Sequence, residues 1–466
     1  MRTIVAGAIA LCAIHAGSAA AQQQSQAVST LPRAPGARIV TISVPEHRGA
    51  EPAIALNPFS PNQIVGGYGG PHVAWSSDSG RTFSLAEGTL PVGWRGGGDV
   101  SLAFDDQGAA YLSYLTSAGL GTASYWAHHA GKSGIWVRRS PDGGKTWEAD
   151  PAPVKLWPNP LDTAPQMVDM SRIWSDVGPR SPYRGSLYVG WINWELDRSV
   201  ILFSRSSDHG KSWSRPIQIS TKPGLPRDDN GGLVAPIGTV GPDGTMYVIW
   251  NDLNSIVFTV SHDGGRHFAP SRSIVPVGPP YFGGATGIPG LARAMGFPQI
   301  GLDWRTGALY VTWSDFRNGD VDIFLSRSTD GGGTWSEALR VNDDPVHDGN
   351  DQFFQWLSVD PVRGDLYVQF YDRRGDPDNR NTLVTLARST DGGRSFRNYR
   401  WSDTPFAGQG VFLGDYAWLT AHDGRVYGIW VEALPPDSTA APPGRGARWG
   451  TIVKVGTADF TAAGRE

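Results

Sequence analysis

Cysteine is almost missing from this chain. Of 466 residues one is a cysteine, Cys12. It sits in the N-terminal segment, so a processed chain holds no disulfide, no thiolate metal site and no cysteine nucleophile. An excess of one charge is missing too. The 40 Lys and Arg face 44 Asp and Glu, a net charge of −4, which gives no reason to expect nucleic acid or an anionic membrane as partner. The apolar run Ile4 to Gly17 is too short, and too rich in Ala and Gly, for a membrane span. With Arg2 ahead of it and Ala19-Ala20-Ala21 behind, residues 1–21 read as a signal peptide cleaved before Gln22. Leu11 before Cys12 is too large for a usual lipid-attachment box. The expectation is an exported protein, periplasmic or secreted, with no membrane partner after cleavage. Residues 22–36 read as a flexible lead-in, and 37–466 as one domain.

Glycine, proline and tryptophan are plentiful, at 60, 35 and 19. That mixture suits short strands, frequent turns and aromatic packing rather than helices. One octapeptide recurs six times: "SSDSGRTF" from Ser76, "SPDGGKTW" from Ser140, "SSDHGKSW" from Ser206, "SHDGGRHF" from Ser261, "STDGGGTW" from Ser328 and "STDGGRSF" from Ser389. Its aspartates, Asp78, Asp142, Asp208, Asp263, Asp330 and Asp391, are 64, 66, 55, 67 and 61 residues apart. A period of that length is one supersecondary unit. Each unit has a run ending in a turn ("FPQIGLDWRTG"), an aromatic-rich run ("ALYVTWSD"), a third run into the octapeptide ("IFLSRS") and a fourth run after it. Four antiparallel strands per repeat make the blade of a β-propeller. First-strand runs begin near Glu51, Asp99, Pro165, Ala235, Phe297, Phe353 and Asp415. The reading is an all-β propeller of seven blades, with six as the alternative. The last unit lacks an octapeptide and a fourth strand; "ARIVTISVPE" near the N-terminus is the spare strand that completes it and removes both sheet edges.

Six copies on six blades cannot all be one active site. Glycine supplies positive φ, and the aspartate accepts backbone N–H groups of its own turn, so the octapeptide reads as a structural turn. The Trp-rich second strands ("VGWINW", "VIW", "VTW", "GIW") read as blade core.

The pattern S-x-D-x-G-x-T/S-W/F resembles the Asp-box, or BNR repeat, of the sialidase superfamily, over residues 76 to 396. The resemblance implies a propeller with the Asp-box turns on one face and the site on the other. For a sialidase it implies retaining cleavage of terminal sialic acid: three arginines on the substrate carboxylate, a Tyr nucleophile paired with a Glu, and an Asp as acid/base. No F-R-I-P motif occurs near the first blade, so the family's first arginine is not identified by motif. Asp-box propellers also include other glycoside hydrolases, carbohydrate lyases, sorting receptors and assembly factors, so the fold does not fix the function.

The face opposite the octapeptides is built from first-strand starts and second-to-third-strand loops. The first-strand starts carry Glu51, Asp99, Asp228, Asp229, Arg293, Asp351, Asp415 and Tyr416. The second-strand ends carry Glu195, Asp197, Asp252, Asp315, Arg317, Tyr371, Asp372, Arg373, Arg374 and Glu432. Arginine forks among carboxylates suit an anionic or polyhydroxylated ligand. On the family's chemistry, Tyr416 or Tyr371 is the nucleophile candidate, Glu195 or Glu432 its partner and Asp99 the acid/base. Arg293, Arg317 and Arg373 are the clamp. Arg374, Asp315, Asp372, Asp351 and Asp415 are further binding candidates. The loop "TSAGLGTASYWAHHAGKSG" adds Trp126 as a stacking surface and His128 or His129 as a lyase base. Calcium is the one cofactor weighed, on Asp372, Asp376, Asp378 and Asn379 or on Asp315, Asp320 and Asp322. Neither set has the spacing of a twelve-residue calcium loop, and no cofactor is expected. The expected activity is a monomeric exo-sialidase-like hydrolase on terminal acidic sugars. The alternatives are a glycan- or protein-binding propeller without chemistry and a lyase on uronate glycans.

Overall fold

The computed structural model describes all residues except 1–30, 45–48, 87, 89, 121–129, 158–166, 227–230, 279–287, 292, 409–410, 435–449 and 463–466. The signal-peptide reading and the candidates Trp126, His128, His129, Asp228 and Asp229 lie outside the described residues. Those that are described form seven antiparallel sheets of at least four strands, with no helix among them. The first strands of consecutive sheets touch one another around a closed circle. The molecule is a seven-bladed β-propeller.

The inner strands, in chain order, are Ala53–Leu56, Arg95–Phe104, Met167–Ser175, Leu233–Val240, Gln299–Leu302, Gln352–Val359 and Trp418–His422. The seventh blade is composite. Its outermost strand is the N-terminal Arg38–Thr41, antiparallel to Thr451–Asp459 with Val40 opposite Val455. The two ends of the chain thus close one sheet, and the ring has no open junction for another chain to pair with. The sixth blade has an extra short strand, Phe406–Ala407, on its third strand.

Tryptophans of the second strands fill the spaces between blades. Trp191, Trp250, Trp313 and Trp430 are fully buried. Truncating one such side chain to alanine costs about 3–5 kcal/mol.

All six octapeptides join the third strand of a blade to its fourth. In the first, Ser76 Oγ accepts from Gly80 N at 3.0 Å. Asp78 accepts from Thr82 N at 3.0 Å and from the Thr82 hydroxyl at 2.7 Å. The same bonds recur around Asp142, Asp208, Asp330 and Asp391. The glycine has a second reason to be there. At Gly332, with φ of +89°, a Cβ would sit 2.5 Å from the Phe258 ring of the preceding blade. Each turn therefore fastens its own hairpin and presses on its neighbour.

Candidate functional site

Four inner strands, in the second, third, fourth and sixth blades, lose register near their starts. Each has one non-glycine residue in the left-handed region there: Asp99 (φ 50°), Met170 (φ 50°), Ala235 (φ 57°) and Phe354 (φ 53°). Glu51 (φ 54°) stands just before the inner strand of the first blade. Such bulges re-aim side chains and gather next to functional sites. They are at the end of the propeller opposite the octapeptide turns.

Across the first three blades the bulges are joined in series. Asp99 N donates to Glu51 Oε2 at 3.3 Å. Met170 N donates to Asp99 Oδ2 at 3.2 Å. The seventh blade completes the group. The Tyr416 hydroxyl, 3.4 Å from Asp99 Oδ1, donates to it. Arg172, two residues beyond Met170, donates to the same hydroxyl at 3.4 Å and lies 4.0 Å over the Tyr416 ring. Arg293 grips Asp415, with Nε at 2.7 Å and with Nη2 on the second oxygen. Its Nη2 is 3.8 Å from Glu51, and its guanidinium stacks on Phe412. Asp169 accepts from Trp194 Nε1 at 3.0 Å beside this group.

The electrostatics follow from crowding. The Glu51 side chain is 12% exposed and faces two other carboxylates. Burial first, then the charges of Asp99 and Asp415, hold its pKa well above the ordinary carboxylate range, against the pull of Arg293. Tyr416 is also pushed well above a free phenol by burial. Arg172 opposes that rise, and Asp99 and Glu51 add to it. Burial thus favours the protonated form of both Glu51 and Tyr416, and the Tyr416 hydroxyl donates to Asp99. A carboxyl group whose proton is favoured by its surroundings suits the role of general acid.

Of the residues singled out from sequence, the fold brings together Asp99, Tyr416, Asp415 and Arg293, with Glu51 from the same rim. The others are elsewhere. The Tyr371 hydroxyl donates to Val431 O at 2.6 Å, between the sixth and seventh blades. Glu432 is bound by Lys454 and Trp430 at 2.6 and 2.8 Å, and Glu195 by Arg198 at 2.7 Å. Arg317 folds back on Asp315 at 2.6 Å. Arg373 is buried, its Nη1 spent on the carbonyls of Pro289 and Asn379, and burial pulls its pKa down to about 10. Arg374 joins Asp372 and Asp343, each at 2.6 Å. Asp351 accepts from Val321 N and from Asn379. The carboxylates weighed for calcium are similarly engaged: Asp376 accepts from Arg380 N and Asn381 N. Among the described residues, the one grouping spaced to share an ion is Asp105, Asp106 and His209. There His209 already bonds Asp105, and Arg184 pairs with Asp106.

Arg172 and Asp169 were not singled out from sequence. In the folded repeats Glu51, Asp99, Met170 and Tyr416 fall at one position of the unit and Arg172 two residues after it, a correspondence set by the backbone bulges rather than by any spacing in the sequence.

No family model and no curated protein matches the chain. Solved structures do match in shape. An ulvan lyase described as a new family of polysaccharide lyase is 12% identical, covering 84% of this chain and 93% of its own, with a TM-score of 0.50. A protein of unknown function from Dyadobacter fermentans is 13% identical, with coverage of 91% and 99% and a TM-score of 0.48. The intramolecular trans-sialidase from Ruminococcus gnavus is 16% identical, with coverage of 85% and 92% and a TM-score of 0.42. At these identities the likeness is one of fold.

Proposed function

We propose that this propeller is a retaining glycoside hydrolase whose reaction runs at Tyr416, Asp99 and Glu51. The observation that carries the reading is the convergence, from three blades, of a tyrosine hydroxyl on the Asp99 carboxyl group, with a second carboxyl group, Glu51, that accepts from the Asp99 backbone N–H and has its pKa raised by burial. Tyr416 attacks the anomeric carbon as its proton passes to Asp99. Glu51 gives its proton to the departing glycosidic oxygen, so the aglycone leaves as an alcohol and the sugar remains as an aryl glycoside of Tyr416. Water then attacks that carbon, giving one proton to Glu51 and keeping the other on the new anomeric hydroxyl, while Asp99 returns to the departing tyrosine oxygen the proton it took in the first step. Because the phenol is protonated at neutral pH, attack and proton transfer must be concerted. Asp415 holds Arg293 against Glu51, where the cation steadies the carboxylate that Glu51 becomes.

The class of sugar follows less directly. A terminal acidic sugar needs a cation with free donors, and Arg293 is already held in a fork by Asp415. Arg317 and Arg373 are committed elsewhere. A sialoside therefore stays within the proposal only if it displaces Asp415 from Arg293 or reaches Arg172, which carries no carboxylate partner among the described residues, and neutral glycosides fit the cluster as it stands.

A panel of fluorogenic glycosides, sialoside included, with a uronate polymer alongside, tests the reading. Tyr416→Phe and Asp99→Asn are expected to lower kcat by 10²-fold or more. Glu51→Gln is expected to lose about 10²–10⁴-fold on alkyl glycosides but far less on aryl glycosides whose leaving group needs no proton. An unsaturated uronate product would replace the reading by a lyase. Saturable glycan binding without turnover would replace it by a recognition module.

A further inference from the structure

We propose a second binding site, for a small organic carboxylate, in the axial channel that opens on the octapeptide face. The channel has a volume of about 310 Å³ and takes its wall from all seven blades. A dry engineered cavity of ~150 Å³ takes up benzene, so a ligand with an apolar body fits. The wall is mostly apolar, with Ile54, Leu102, Ile173, Ile237 and Trp304 along it. Arg172 and Trp418 also line it, at the inner-strand level nearest the Tyr416 group.

Arg172 is 3% exposed. Its Nη1 donates to Ser171 O at 3.2 Å and to the Tyr416 hydroxyl at 3.4 Å. Its charge otherwise rests against the rings of Tyr416 and Trp418, at 4.0 and 5.7 Å. A guanidinium has five N–H donors, and among the described residues no carboxylate pairs with this one. Arg373, equally buried, donates to the Thr382 hydroxyl and to two carbonyls, and three further enclosed arginines carry a carboxylate. Arg340, Arg374 and Arg388 pair with Asp322, Asp372 and Asp365 at 2.6, 2.6 and 2.7 Å. A buried cation without a counter-ion is costly, and stacking on aromatic faces offsets only part of the cost. A carboxylate arriving along the channel supplies the missing partner in the geometry a guanidinium fork prefers. The apolar wall selects the rest of the ligand. A small hydrated anion loses its water there and gains little, whereas an aromatic or aliphatic acid buries its body against Trp304 and the isoleucines.

The assignment is tested apart from the reaction proposed above, by binding rather than turnover, although Arg172 also donates to the Tyr416 hydroxyl. Titration calorimetry of the purified full chain with benzoate, benzamide and phosphate is the test. Benzoate is expected to bind at one site, benzamide and phosphate at least tenfold more weakly. Arg172→Met, which removes the charge, is expected to weaken benzoate at least tenfold. Thr239→Trp, which fills the channel and leaves Arg172 in place, is expected to do the same, with circular dichroism showing both variants folded. Absence of benzoate binding, equal binding of benzamide, or binding that survives Thr239→Trp each overturns the proposal.

Discussion

Asp391 accepts from Ser395 N at 3.1 Å, the Ser395 hydroxyl at 2.7 Å, Arg394 N at 2.9 Å and the Ser389 hydroxyl at 2.8 Å. Four donors on one carboxylate favour its charged form and outweigh burial, lowering its pKa to about 2. Asp78 and Asp263 are lowered to about 2 in the same way. A depressed folded value means stability that is present above the unfolded carboxylate pKa of about 3.9 and lost as pH falls through the folded one. The turn is solvent-exposed, so each bond is worth little net. Asp391→Ala is expected to cost about 1–2 kcal/mol near neutral pH, measured by urea unfolding. The gap to the parent protein is expected to narrow between pH 4 and 3. A gap that stays constant over that range would place the effect outside the carboxylate.

Among elements, the strand Arg38–Thr41 has the largest consequence for its length. It covers the outer edge of Thr451–Asp459, and Ile42 N extends the pairing to Val453 O at 2.9 Å. Deleting the chain through Ile42 uncovers that edge and leaves the seventh blade with three strands. The truncated protein is expected to unfold at lower temperature and to associate through the exposed strand. A synthetic peptide of residues 33–44 is expected to restore the melting temperature by adding the strand in trans. No rescue would mean that the strand's role is in folding rather than in the finished sheet. This closure was legible in the sequence because it is an accounting problem: the last unit is one strand short and the first has one to spare. The blade count was legible for a similar reason, since the octapeptide turn is local chemistry that recurs wherever a blade does. The site was only half legible. Tyr416 at a first-strand start and Tyr371 at a second-strand end both read onto the face opposite the octapeptides, yet one meets Asp99 and the other is buried against Val431. A blade packs on both faces, so in–out alternation of hydropathy does not say which way a strand-end side chain turns. The bulges are less visible still. Glu51, Asp99 and Met170 take left-handed backbone without the glycine that would announce it, and at Met170 the register shifts just before Arg172.

At the scale of the whole molecule, the buried carboxylates oppose the octapeptide aspartates. Asp344, between the fifth and sixth blades, accepts from Asn342 at 2.8 Å and lies 3.1 Å from Arg340. Even so, burial and the charge of Asp372 raise its pKa to about 6. Glu51 is raised for the same kinds of reason. A carboxyl group whose folded pKa is raised binds its proton more tightly in the native state. Its stabilisation is full below the unfolded value of about 3.9 and is lost as pH climbs through the folded value, here about 6 for Asp344. The octapeptide aspartates lose theirs in the opposite direction, below about 3.9. The two trends meet in mildly acidic solution, and there the propeller is expected to be most stable. Urea midpoints are expected to be higher at pH 4.5 than at pH 7.5. Asp344→Asn, which cannot ionise and keeps one oxygen for Asn342, is expected to shrink that difference by raising the midpoint at pH 7.5 relative to the parent. A parent protein whose midpoint rises steadily from pH 4.5 to 7.5 would show that the raised carboxylates do not govern this window. An unchanged pH dependence in Asp344→Asn would move the effect to Glu51, where Glu51→Gln makes the same comparison at the proposed catalytic group.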